Sequence, residues 1–280
     1  MVTVVVTGAS GFVGGAVVRA LAQHRGIVVR PVSRQAMSGG VQVKTYTQAP
    51  GGDVLIHLAE EADRAKVAAL GAQYHAEATG TIAQLLNRSY SRVIYASSAV
   101  LYGEASSQPH MPDDAVYVTD EYTRLKRDAE LAVLESPSGV VVRLSNVYGP
   151  GMSSANVITT ILRQIPGPGP LIVKDTTPVR DFLWVDDAAE GFAALATART
   201  AQGVFNLATG IGASIGETAR LALDTAGESG REIVATDPGH ASTIIADCAR
   251  IVQQLGWQAR VRLREGLALL MSQSAVPHRR

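Results

Sequence analysis

Residues 2–7, VTVVVT, form an apolar run rich in β-branched residues that breaks at once into the glycine-rich TGASGFVGG. A strand with no polar face needs cover on both sides of its sheet. The stretch FVGGAVVRALAQH (12–24) supplies one such cover, because helical spacing gathers Val13, Val17, Ala20 and Leu21 on one side. The alternation recurs. IVVRPV (27–32), DVLIHLA (53–59), RVIYASS (92–98) and GVVVRLS (139–145) read as further strands, with helices at about 61–88 and 119–134. Apolar strands alternating with helices predict an α/β chain with a parallel sheet covered on both faces. After residue 149 the turn-rich GPGMSSAN and IPGPGPL loosen the pattern. A smaller mixed α/β lobe is therefore expected from 150–179 and 204–280, packed on a first lobe of 1–149 and 180–203. The active site is expected in the cleft between them.

Composition excludes several function classes. At 280 residues and 46% hydrophobic content, the chain can bury a proper core and does not read as disordered. Lys plus Arg and Asp plus Glu both total 25, so nothing draws the chain to nucleic acid or an anionic membrane. Cys248 is the single cysteine; it is expected to pack as a small hydrophobe, and there is no metal-binding cysteine cluster. The N-terminus lacks the basic region of a signal peptide, and no apolar stretch reaches the roughly 18 residues of a membrane span. A cytoplasmic setting is the expectation. The tail SQSAVPHRR reads as frayed.

The glycines Gly8, Gly11 and Gly14 stand three apart, between an apolar strand and an amphipathic helix. Glycine lets the backbone turn tightly and approach a pyrophosphate, and the helix start then offers free N–H groups. This context predicts dinucleotide binding on a Rossmann doubly wound sheet. A second feature is YTRLK (122–126). The lysines are Lys44, Lys66, Lys126 and Lys174, and of the eight tyrosines only Tyr122 has one four places on. Residues four apart share a helix face. At roughly 5 Å and an effective dielectric near 20, the attraction of an ammonium for a phenolate is roughly 3 kcal/mol. That makes the tyrosine a usable proton donor or acceptor near neutral pH.

The glycine spacing and the order of motifs resemble the extended branch of the short-chain dehydrogenase/reductase superfamily, and within it the nucleotide-sugar epimerase/dehydratase group. The resemblance rests on DVLIHLA, YASSAVLYG, YTRLK with Glu130, RLSNVYGPG, RDFLWVDDAA, FNLATG and LGW (255–257), in that order over nearly the whole chain. It implies that Ser98, Tyr122 and Lys126 are catalytic. Tyr122 would move the hydroxyl proton, Ser98 would hold the reacting oxygen, and Lys126 would also bind the nicotinamide ribose. It implies cofactor contacts from Gly8, Ser10, Gly11, Phe12, Val13 and Gly14, and from Ser33, Arg34, Leu58 and Ala59. Substrate contacts would come from Ser98, Ala99, Tyr122, Asn146 and Arg180, with Asn146 and Arg180 at the diphosphate and residues 153–164 over the nucleotide. Asp186 and Asp187 read as structural. Glu77 departs from the family, which usually shows asparagine there. Members commonly pair through the helices near 61–88 and 119–134, so a homodimer is expected.

Two absences shape the expected chemistry. Ala99, Val100 and Leu101 follow Ser98, so the carboxylates that related dehydratases carry there are missing and dehydration is not expected. Residues 1–52 hold no Asp or Glu, whereas an NAD site ordinarily places one at the end of the second strand. VSRQ stands there instead, with Arg34, and Arg30 nearby; an arginine can pair a 2′-phosphate. NADP(H) is favoured, with NAD the alternative. The leading expectation is reduction of a keto group, at C4, of a nucleotide-linked deoxysugar. The alternatives are a 4-epimerase with tightly held NAD and, in a different class, a non-catalytic cofactor-sensing protein.

Overall fold

The computed structural model describes residues 1–198 and 200–274, so residues 275–280 of the tail lie outside the described residues. The first half alternates as the sequence predicts: β1 (Val2–Thr7), α1 (Phe12–Ala22), β2 (Ile27–Ser33), β3 (Val41–Gln42), β4 (Val54–His57), α2 (Arg64–Leu86), β5 (Arg92–Ser98), α3 (Glu121–Glu135) and β6 (Gly139–Leu144). The chain then leaves the sheet through β7 (Asn146–Tyr148), α4 (Val157–Leu162), β8 (Leu171–Val173) and β9 (Val179–Trp184). It returns through α5 (Val185–Thr197) and β10 (Gly203–Leu207). It ends with β11 (Gly212–Ser214), α6 (Ile215–Thr225), β12 (Ile233–Ala235), β13 (Thr243–Ile244), α7 (Ala249–Leu255) and α8 (Leu263–Ser274).

The large sheet runs β10-β6-β5-β4-β1-β2-β3, and every neighbouring pair is parallel. Strand alternation divides its core. Val4 and Val6 pack with α1 and α5, while Val5 faces the opposite cluster with Leu55, Leu85 and Val93. Beyond it, β9 pairs with β7, β11 and β13, and β8 pairs with β12. Tyr148, Ile161, Phe182, Trp184, Leu223 and Leu267 form a separate core there.

Two boundaries differ from the sequence reading. Strand Gly203–Leu207 extends the large sheet, although the sequence pattern places 204–280 in the second lobe. Val179–Trp184 belongs to the small sheet, although 180–203 was assigned to the first; only its continuation, α5, returns to pack with α1. Short apolar strands look alike in sequence whichever sheet they join, so periodicity does not separate them. The predicted helix 61–88 is also interrupted, because Gly71 takes φ +63° and ψ −157° within α2. Leu70 and Leu131, on the two helices expected to pair, stand exposed. No helix among the described residues is long and apolar enough to cross a membrane.

The sheet fixes α3 through one buried stripe: Tyr122, Leu125, Lys126, Ala129, Glu130 and Val133. This 3.6-residue spacing presents apolar anchors and polar groups on a single face. Glu130 is fully buried and accepts from Arg143 Nε (2.9 Å) and Nη2 (2.7 Å), and from Ser97 Oγ (2.6 Å). The bidentate pair ties α3 to β6, and Ser97 ties it to β5. Removing one partner of such a buried pair leaves an uncompensated charge. Glu130→Ala is expected to lose about 3–5 kcal/mol of stability, read as the shift in the urea unfolding midpoint.

Candidate active site

Thr7 ends β1, and Gly8 turns the chain with φ +73°. A Cβ on Gly8 would stand 2.6 Å from the Leu58 carbonyl oxygen, and one on Gly14 would stand 2.1 Å from the Gly8 carbonyl oxygen. Both positions therefore require glycine for space, and Gly8 for its backbone angle as well. Gly11 caps α1 without any side chain, and the first turn carries no acidic residue. The helix thus presents free N–H groups and a positive dipole end to the cleft.

The adjoining wall comes from the ends of β4 and β5 and the first turns of α3. Asp120 caps α3 by accepting from Thr123 N (2.8 Å), and Arg64 donates to the same carboxylate through Nε (2.8 Å). This fixes the turn that carries Tyr122. Lys126 Nζ lies 5.7 Å from the centre of the Tyr122 ring and 5.0 Å from that of Tyr95. It donates to Glu60 Oε2 (2.7 Å) and to the Ala96 carbonyl of β5 (2.9 Å). Burial pulls the Lys126 pKa down, but the Glu60 carboxylate and the Tyr122 phenol outweigh it, and the net direction is upward. Ser98 ends β5 and accepts from Val100 N (3.3 Å) across a 3-10 turn, Ala99–Tyr102. Its neighbour Ser97 is committed to Glu130, which separates the roles of the two serines.

One cleft of about 490 Å³ unites these walls. Of the residues singled out in the sequence, Gly8, Gly11, Phe12, Val13, Gly14, Leu58, Ser98, Tyr122, Lys126 and Asn146 line it. Ser33 donates to Ser10 Oγ (2.7 Å), joining the end of β2 to the cradle. Ala59 follows Leu58 and crowds Gly8. Arg34 is exposed, its guanidinium 5.6 Å from the centre of the Tyr46 ring, and Arg30 is turned away onto the Gly51 carbonyl. Ala99 is buried in an apolar cluster with Tyr102 and Ile244, and the structure does not bring it to the cleft wall. Arg180 lines an adjoining cavity that shares Asn146 and Asn156 with the main cleft. It bonds Ser242 and faces Glu104 (3.9 Å); it makes no pair with Asp181, which instead holds Thr209 and Gly210. Asn156 caps α4 within residues 153–164. Asp187 accepts from Arg260 N and Val261 N, and Asp186 from Trp184 Nε1. Glu77 is exposed on α2.

Sequence reasoning missed Glu60, His57 and Arg64, all of which line the cleft. Their signal was position: His57 ends β4, Glu60 follows it, and Arg64 opens α2 at the far side of the same strand-to-helix connection, the region where open α/β sheets build their sites.

A nicotinamide dinucleotide fits these residues. The cradle leaves room only for bare backbone, and a buried Glu60 oxygen, Oε1, has no partner among the described residues. Residues 4–208 match the model of the NAD dependent epimerase/dehydratase family, and the chain belongs to that family. It is 27% identical to a dTDP-glucose 4,6-dehydratase of Streptomyces griseus, over 94% of this chain and 91% of that protein. It is 29% identical to a UDP-glucose 4-epimerase of Bacillus subtilis, over 69% of this chain and 66% of that one. The structure of RMD from Pseudomonas aeruginosa complexed with NADPH superposes with a TM-score of 0.85 at 25% identity, covering 99% of this chain and all of that one. Solved structures of this fold hold NADPH or NAD. The chain is an enzyme of a family acting on nucleotide sugars. Dehydratases are among its relatives, so family membership gives no support to the expectation against dehydration.

His57 carries a consequence for stability. It is buried beside Thr7 Oγ1 (2.8 Å), and burial lowers its pKa from 6.5 to about 4. Between those values the unfolded chain binds a proton that the folded chain refuses. Stability is therefore lost as pH falls from 6.5 to about 4, by up to roughly 3 kcal/mol, and this contribution is flat below. His57→Gln should flatten that limb, measured by urea unfolding across the window.

Proposed function

We propose that this chain is an NAD(P)-dependent ketoreductase of nucleotide-linked deoxysugars, acting at C4 and favouring NADPH. The observation that carries the reading is that Ser98, Tyr122 and Lys126 line the same cleft as the glycine cradle. A nicotinamide dinucleotide, held by the glycine cradle and Lys126, would supply hydride for the carbonyl carbon when bound. Tyr122 Oη gives its proton to the carbonyl oxygen as the C=O double bond becomes a hydroxyl. Ser98 Oγ donates to the same oxygen and orients it. Lys126 holds its charge beside Tyr122 as that proton leaves, although Glu60 offsets part of it. Asn146 joins this cleft to the cavity of Arg180, where a diphosphate would meet a guanidinium fork.

No carboxylate follows Ser98 on its strand-end turn, which supports reduction over dehydration. Tyr122→Phe keeps the ring and removes the proton carrier. Turnover should fall about 100-fold or more while cofactor titration stays unchanged. Retention of most activity would sink the assignment.

The NADPH preference rests on Arg34 and on the lack of any carboxylate before Asp53. A charge-assisted contact to a 2′-phosphate is worth about 1.5–3 kcal/mol, or roughly 10- to 150-fold in affinity. NADPH should bind more tightly than NADH, and Arg34→Ala should remove most of the difference in a fluorescence titration. Equal affinities, or a preference for NADH, would favour the 4-epimerase reading with retained NAD.

A further inference from the structure

The two oxygens of Glu60 are unequal. Oε2 accepts from Lys126 Nζ (2.7 Å) and Tyr95 Oη (2.8 Å). Oε1 is buried with no hydrogen-bond partner among the described residues, on a side chain only 5% exposed. A buried carboxylate oxygen without a donor is unfavourable, so such an atom in a cleft wall marks a place where a ligand supplies one.

The neighbours do not supply it. His57, from β4, is bonded to Thr7. Tyr74, from α2, accepts from Glu61 N (2.6 Å). Arg64 is held by Asp120 and faces Glu104. Tyr95, from β5, and Lys126, from α3, both address Oε2.

The cleft's lining restricts what the donor is. Backbone N–H groups of the cradle suit a pyrophosphate, and Ser98 and Tyr122, which line the same cleft, suit a reacting carbon. A nicotinamide dinucleotide spanning them has one ribose between its pyrophosphate and its reactive ring, and that ribose carries two adjacent hydroxyls. We propose that Glu60 is a cofactor-contacting residue whose free Oε1 accepts a hydrogen bond from this distal ribose, beside Lys126. The inference rests on the dinucleotide reading above and adds a residue to it.

Charge alone would act in the opposite direction. A carboxylate near an anionic cofactor repels it, so neutralising a Glu60 that made no contact would tighten binding. The test uses ADP and ADP-ribose, which differ by the distal ribose and by the one terminal-phosphate charge that its ester bond removes. Both are titrated calorimetrically, with NADPH, into wild type, Glu60→Gln and Glu60→Asp. Glutamine removes the charge; aspartate keeps it and withdraws the oxygens by one methylene. Both variants should weaken ADP-ribose and NADPH about tenfold or more and leave ADP within about twofold. Thermal melts verify that each variant is folded, and the two changes give independent routes to the result. Unchanged affinity for ADP-ribose, or tightening of ADP and ADP-ribose together, would overturn the contact. Failure of wild type to bind any of the three would overturn the dinucleotide reading itself.

Discussion

A buried ammonium must be paired, and in this protein the requirement organises the site. Lys126 Nζ reaches Glu60 just beyond β4, the Ala96 carbonyl within β5, and the Tyr122 ring one turn earlier on its own helix. These groups meet only if β4 and β5 are neighbours and α3 packs across them at one register. The Glu130–Arg143 pair, one turn of α3 further on, fixes that register from β6. The Tyr122–Lys126 wall of the cleft is thus set by two buried ion pairs on one helix face. Such pairs add little net stability but are costly to break, which favours a single arrangement.

The second determinant is steric. The cradle is built where the end of β4 crowds the first turn after β1, and the space above Gly8 and Gly14 admits no side chain. The result is a patch of bare N–H groups at a helix start. Cradle and Lys126 then line one cleft, carried by the central strands of the same sheet. The small sheet around β9 adds the far wall, and Asn146 opens β7 exactly where the chain leaves the large sheet for the small one.

Much of this was legible in the sequence, and the misses have physical reasons. The strand β1, the glycine triplet and the Tyr122–Lys126 spacing are local signals: β1 forms, Gly8 and Gly14 stand where a Cβ would meet backbone, and Tyr122 and Lys126 share a buried helix face. The stripe of α3 was legible because its period is its packing. What failed depended on partners far along the chain. Strand Gly203–Leu207 joins β6 rather than the second lobe, and only pairing reveals that. Ala99 sits beside Ser98 in sequence but turns into the core, because a 3-10 turn follows the strand. Glu60 carries no local signal; its place in the site comes from Lys126, 66 positions away. Alternation on β9 sends the neighbours Arg180 and Asp181 to different partners, which adjacency in sequence does not reveal.

The most direct measurement follows the hydride. The protein is incubated with NADPH deuterated at the transferable position and with a nucleotide 4-keto-6-deoxysugar, and the product sugar is analysed by mass spectrometry. The account predicts one deuterium in the product, at C4, with matching oxidation of the cofactor. A product without label, or turnover without net consumption of NADPH, would contradict it.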